Sequence, residues 1–536
     1  MIDRFTDMPM RNLTVDWDTD MGPLDMRYHS AGIGGVHSMP APRTVVDAMA
    51  ELKPGLIRIF LQEFFYVYPD HGIFDWAKMD AYMDAAHAMG GDIMASICIK
   101  PRVLYPAIDE SVWAPNDAGE WQSLIGAMAL RYSVEKPYVT HWAIANEMNI
   151  GEWGGCPYLI KNPDDFFEYY KLTAEPIRTA APGVKVGGPS HAGGGKDAGE
   201  YLSRFLQLCK DGGVAVDFVC YNEYSDSPER HAADGRAVRD ALDAVDPGVK
   251  LYMTEFNVGI GEELSLEEKP YEPKYAASLA ASILALHEDG CLDGSFQYHI
   301  YDQYNDPREF APWFARARYM AEHWNDKAHR LGLLDLDGKA KPQYYLYQLL
   351  YSLAGRRVGL SGADINVVGA GSGAGAGIGT SADADAGADT DADAGADAVA
   401  DASADTGADA GADAVADASA DTGADADDGV LRGIATRAGS DRLSVFLVNF
   451  AERGARDAVS HISFANAPAG IYRLNVYRID AESSAAMKAG ELRSAGTGHE
   501  LPPAESRLVY AHPDFHFDVF TPANSVTLIQ LDRQMQ

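Results

Sequence analysis

Glu147 and Glu255 each follow a short apolar run, and roughly 110 residues separate them. The first closes Thr140-His141-Trp142-Ala143-Ile144-Ala145-Asn146-Glu147; the second closes Lys250-Leu251-Tyr252-Met253-Thr254-Glu255. Two carboxyls that meet across a pocket can split a glycosidic bond: one protonates the departing oxygen, and the other attacks the anomeric carbon or activates water. A single glutamate in a loop is ordinarily just a solvated surface charge. Two of them at matching strand ends, one preceded by Asn146, weaken that plain reading.

The elements that must carry them follow from the same spacing, which corresponds to about three βα units of a (β/α)8 barrel, a fold that keeps its chemistry at the carboxyl ends of its strands. Eight strand candidates can be laid out at residues 32–37, 56–61, 92–99, 139–145, 185–187, 216–220, 250–254 and 294–299. Stretches with helical apolar spacing lie between them, for example 76–89, 166–180 and 275–288. After a last barrel helix near 344–354, period-two alternation takes over, as in Leu443-Ser444-Val445-Phe446-Leu447-Val448-Asn449, and predicts an antiparallel β-sandwich. The expected fold class is thus α/β, a (β/α)8 TIM barrel with a C-terminal sandwich module. Its parts are residues 1–30 adding a strand to the sandwich, 31–355 as the barrel, and 356–368 with 429–536 as the sandwich. The tract 369–428 is rich in Ala, Asp and Gly, and within it 395–410 recurs unchanged as 411–426. It lacks the apolar surface to offset chain entropy, so it reads as a disordered insertion. A calcium-binding repeat is the rival, but neither the EF-hand nor the nonapeptide pattern is present.

Of the net charge of −35 over 536 residues, fifteen aspartates fall within 381–428. So acidic a chain is repelled by nucleic acid and by anionic membranes, and neither is expected as a partner. Cys98, Cys156, Cys209, Cys220 and Cys291 are scattered, without metal-ligand spacing, and read as thiols of a reducing compartment. No metal and no cofactor is expected. The start of the chain offers no signal-peptide core, and no run of about 18 apolar residues occurs. A cytoplasmic enzyme with a small imported substrate follows as the expectation, and a homo-oligomer stays open.

Asn146-Glu147-Met148-Asn149, the loop Gly151-Glu152-Trp153-Gly154-Gly155-Cys156-Pro157, Val186-Gly187-Gly188-Pro189 and Thr254-Glu255-Phe256-Asn257 together resemble the retaining (β/α)8 glycosidases. Within that clan the chain looks most like glycoside hydrolase family 39, the β-xylosidase and α-L-iduronidase type, over its whole length except the acidic tract. The family usually shows Pro where Met148 stands, and Asn222 replaces a common His, which leaves the sugar open. The resemblance implies Glu255 as nucleophile, Glu147 as acid and base, retention, and Arg58 as a support of the nucleophile. Arg58 as a barrel-wall ion pair is the alternative.

Asn146 is a candidate for the sugar 2-hydroxyl, or else a strand-end cap. Tyr224 can donate to Glu255, or else serve the core. His37, Lys100, Asn149, Asn222 and Tyr298 lie near strand ends as candidate substrate contacts, and Trp153 as a platform for a sugar ring or a loop anchor. Gly187–Gly195 lacks a phosphate-loop lysine and reads as a flexible βα loop. The expected activity is release of a pentose from oligosaccharides or glycosides, with β-xyloside first and α-L-arabinofuranoside second. A non-catalytic carbohydrate-binding barrel is the competing class.

Overall fold

The computed structural model describes residues 8–34, 39–259, 271–325, 330–353, 355–363, 365–367, 430–490, 499–512 and 515–534. His37 and the acidic tract 369–428 lie outside these residues.

Eight parallel strands close into a barrel: β1 His29–Gly32, β2 Leu56–Gln62, β3 Asp92–Cys98, β4 Val139–Ile144, β5 Lys185–Ala192, β6 Phe218–Tyr224, β7 Lys250–Asn257 and β8 Gly294–Tyr298. β8 pairs back onto β1, with Ser295 against His29. Parallel strands covered on both faces read as unbroken apolar runs. Accordingly β2 is buried at every position. Its alternate residues face the barrel axis. Leu56 joins a floor layer with Met94, Phe218 and Phe296, Arg58 comes next, and Phe60 and Gln62 reach the cavity above.

Two expectations need correction. The first strand spans His29–Gly32 rather than 32–37. The fifth runs on through the glycines to Ala192, so Gly187–Ala192 is strand and Gly195 already begins the helix Gly195–Gly212, with no flexible loop between. Gly188 explains why the pattern was hidden: it sits at φ 127°, and a Cβ there would lie 2.6 Å from the Ile144 carbonyl. Only glycine fits this close approach.

The C-terminal module is a single hydrogen-bonded sheet of eleven strands, curled so that its halves enclose Val15, Trp17, Leu447, Phe464, Leu474 and Ile529. Met10–Asp16 joins it, parallel to Ala458–Ala465 and antiparallel to Gly355–Ser361. Helix Pro273–Asp289 packs between barrel and sheet, and its residues from Tyr275 to Leu286 are all buried. A helix apolar on all sides must be covered on all sides. Among the described residues the cysteines are free and buried, and no helix is long and apolar enough to cross a membrane.

Candidate active site

Arg58 is fully buried, stacked 4.2 Å over the Phe60 ring, and its guanidinium organises the barrel mouth. Nη1 donates to Glu255 Oε1 at 2.9 Å and to the Thr254 carbonyl at 3.0 Å. Nη2 donates to Asn146 Oδ1 at 2.6 Å, and Nε to Ser96 Oγ at 3.1 Å. Tyr224 donates to the other Glu255 oxygen at 2.8 Å. Both oxygens of Glu255 therefore act as acceptors, one of them toward a fixed cation.

Between β6 and β7 the register slips: Tyr221 faces Met253, and the next residue, Asn222, faces Glu255. Thr254 is the extra residue of this bulge, a device that re-aims side chains beside active sites. It donates to Asn222 Oδ1 at 2.7 Å. Held this way, Asn222 turns its amide to Glu147 Oε1 at 2.9 Å and to Asn146 Oδ1 at 3.2 Å. Asn222 thus spends both amide hydrogens on Glu147 and Asn146.

β4 ends at Ile144, and the chain then passes through Ala145 at φ 69° and Glu147 at φ 47°. Left-handed backbone at two non-glycine residues is uncommon and marks a constrained turn. It is held by the Glu147 amide donating to the Ser190 carbonyl of β5 at 2.6 Å. Gly154 packs so tightly on the Glu147 carboxyl that any Cβ would collide with it. Burial, and then the charge of Glu255, push the Glu147 carboxyl up to about 8, against the smaller opposing effects of Asn222 and Arg58. Burial and the Glu255 charge thus favour the protonated form of Glu147.

Asn146, Glu147, Trp153, Tyr224, Glu255 and Tyr298 line one cavity of about 140 Å³. The Asn146 amide gives one hydrogen to the Gly154 carbonyl at 3.1 Å, which leaves its second for a ligand. Trp153 is 40% exposed, with Arg316 4.7 Å over its ring and Tyr319 edge-on, so it is both wall and anchor.

Two candidates face elsewhere. Lys100 donates to the Asp109 and Pro157 carbonyls at 2.6 and 3.0 Å and lies against Tyr105 and Tyr158, pinning loops together beneath the mouth. Asn149 exchanges hydrogen bonds with the backbone of Ala192 at 2.9 and 3.1 Å, bracing the end of β5. The sequence reading missed Phe60, Gln62, Phe314, Met320, His323 and Trp324, which complete the cavity wall. Its available signal was the aromatic clustering at Trp313-Phe314 and Tyr319–Trp324, after the last barrel strand.

The family model for glycosyl hydrolases family 39 matches residues 73–370. A β-xylosidase of Geobacillus stearothermophilus is 26% identical over 214 residues, 35% of this chain and 39% of that protein. A β-xylosidase of Caldicellulosiruptor saccharolyticus is 23% identical over 274 residues, 47% of this chain and 50% of that protein. The chain thus spans half or less of the length of these curated relatives. Among solved structures, a family 39 enzyme from Xanthomonas axonopodis pv. citri superposes with a TM-score of 0.67 at 18% identity, covering 98% of both chains. A monomeric β-xylosidase from Caulobacter crescentus CB15 gives 0.65 at 19% identity, over 98% of this chain and 100% of that one. At such identities these structures establish the shared fold.

Proposed function

Since this chain belongs to glycosyl hydrolases family 39, we propose that it is a retaining exo-glycoside hydrolase that releases a terminal pentose, β-xylose first, from short oligosaccharides or glycosides. The observation that carries the reading is the pair of buried carboxyls on one cavity wall. One accepts hydrogen bonds from Arg58 and Tyr224, and the other is pushed toward its protonated form by burial and by its partner's charge.

In this mechanism a Glu255 oxygen attacks the anomeric carbon while the bond to the leaving oxygen breaks, and Glu147 passes its proton to that oxygen. The product is a glycosyl ester on Glu255. Ester formation removes the negative charge that raised the Glu147 pKa, so the Glu147 carboxylate left by the first step stays ionised and free to act as the base. It takes a proton from water as the water oxygen attacks the anomeric carbon, and the ester bond breaks to free the sugar and restore both carboxyls. Arg58 and Tyr224 hold Glu255 in line throughout, and Asn146 offers its remaining amide hydrogen to the sugar.

The substrate assignment draws on the β-xylosidases among the relatives. Exo action is supported by size: about 140 Å³ is well below the roughly 300–1,000 Å³ of pockets for larger ligands, and suits one sugar ring. The five unpaired thiols suit a reducing compartment, and we place the enzyme in the cytoplasm.

The test is turnover of nitrophenyl β-xyloside beside the α-L-arabinofuranoside and hexosides, with NMR of the first anomer released. Hydrolysis of the β-xyloside with retention is expected, together with loss of on the order of 1,000-fold or more in kcat for Glu255→Ala. A Glu255→Ala protein that binds xylose and turns over as fast as the parent would leave only a carbohydrate-binding barrel.

A further inference from the structure

A second cavity, about 440 Å³, opens beside the catalytic one and has no role in the reaction above. Consecutive residues line the two: Trp313 the outer cavity and its neighbour Phe314 the catalytic one. Tyr66, with its ring 5.5 Å from that of Trp313, completes an aromatic floor. Pyranose rings pack their C–H faces on such surfaces.

The rim is cationic, in a chain where Asp and Glu outnumber Lys and Arg by 79 to 44. Lys78, Arg102 and Arg308 all line it. Arg308 is neutralised by Asp306. Among the described residues, neither Lys78 nor Arg102 has a carboxylate within ion-pair distance. Arg102 is held by the Pro312 carbonyl and lies 5.3 Å over Trp313, with part of its fork still unused. Glu309 adds an opposing charge, and its Oε2 is buried without a donor, an acceptor for a hydroxyl.

We propose that this outer cavity is a subsite for a uronic acid carried by the saccharide whose terminal sugar enters the catalytic cavity. The uronate carboxylate meets Lys78 and Arg102, its ring lies on Trp313 and Tyr66, and a hydroxyl donates to Glu309. This assignment rests on the glycosidase reading, since only a shared substrate links the two cavities.

The experiment compares xylotriose with xylotriose carrying a glucuronosyl branch, by kcat/KM and by calorimetric titration of the inactive Glu255→Ala protein. The branched sugar is expected to bind the Glu255→Ala protein more tightly, with an advantage that shrinks at high salt. In Arg102→Ala and in Lys78→Glu the ratio of branched to plain sugar should fall about tenfold, the worth of one charge-assisted hydrogen bond. Lys78 is an exposed helix residue, so its replacement keeps the test open if Arg102→Ala fails to fold. Equal binding of the two sugars, or a ratio untouched in both variants, overturns the subsite. If no glycoside is cleaved, the hydrolase reading falls, and the titration still decides the subsite.

Discussion

Arg58 carries its charge with no water contact, so every part of its guanidinium is answered by the site itself. Lysine presents one nitrogen where arginine presents a fork, and it cannot serve Glu255 and Asn146 together. Arg58→Lys is expected to lower kcat/KM about 100-fold. It should also cost stability on the order of 3 kcal/mol, since the charge stays but buried acceptors are left without donors. Kinetics on nitrophenyl xyloside and calorimetry check both, and unchanged turnover would remove Arg58 from the support of Glu255. Asn222 gives a sharper readout. Its amide favours the ionised form of Glu147, against burial and Glu255. Glu147 works as an acid only while protonated, so kcat/KM should fall as pH rises through about 8. Asn222→Ala removes the donor, and this basic limb is expected to move to higher pH. A limb that stays or moves down would mean that another group sets it. At this scale the site was legible where a polar residue ends an apolar run and faces the barrel axis, as Glu147, Glu255 and Tyr224 do, and where a charge interrupts such a run, as Arg58 does within Leu56–Gln62. Lys100 and Asn149 show the same local signature and point elsewhere, because facing depends on strand phase and on loop packing that spacing alone does not reveal.

Elements were legible where their periodicity is unbroken. β2, β3, β6 and β7 were all recognisable as apolar runs, although β6 and β7 extend further into polar residues than the pattern suggested. Helix Pro273–Asp289 was recognised as a helix, but its burial on all sides follows from the module packed over it. The segment after β8 is hard to place from sequence because an irregular stretch leads into a helix of only nine residues, Ala317–Asn325, yet it supplies Phe314, Met320, His323 and Trp324 to the cavity. It is fastened by Glu152, which is 1% exposed and accepts the amides of Ala315 and Arg316 at 3.1 and 2.8 Å. Glu110 in turn accepts the Glu152 amide at 2.7 Å and pairs with Arg316 at 3.3 Å. Glu152→Gln replaces one of two acceptors by a donor facing a donor. The wall should loosen, raising KM about tenfold with little change in kcat, and stability should drop by about 1–2 kcal/mol. An equal fall in kcat with constant KM would instead place Glu152 among the groups acting on the transition state.

Across the whole molecule, six buried groups titrate against each other and set a stability optimum. Burial pushes Glu63 and Glu147 up to about 8 and Glu223 to about 10, from 4.5. Above pH 4.5 the unfolded chain can ionise these three carboxyls while the folded one cannot, so their contribution to stability is lost as pH rises through the folded values. Burial also holds His29 down to about 3, and His231 and His287 to about 4, from 6.5. For these the unfolded chain takes up protons first, and stability is lost as pH falls below 6.5. Between about 4.5 and 6.5 the losses from these carboxyls and the gains from these imidazoles oppose each other, so Tm is expected to vary less there than on either side. Glu223 isolates the alkaline arm. Among the described residues its two oxygens are buried without a hydrogen-bond donor, with Arg230 Nε 3.8 Å from Oε1 as the only opposing charge, and it can pair with the neighbouring Asp234 only while one of the two carboxyls holds a proton. Glu223→Gln supplies a permanent N–H in place of that proton. Its Tm should match the parent near pH 4.5, and exceed it by about 2 °C or more by pH 8, a gain on the order of 1 kcal/mol. The difference should keep growing toward pH 10, since Glu223 itself ionises only there. Scanning calorimetry of both proteins from pH 4 to pH 10 measures it. A gap that is constant with pH would mean that Glu223 is already ionised in the folded protein and that the alkaline arm belongs to other groups.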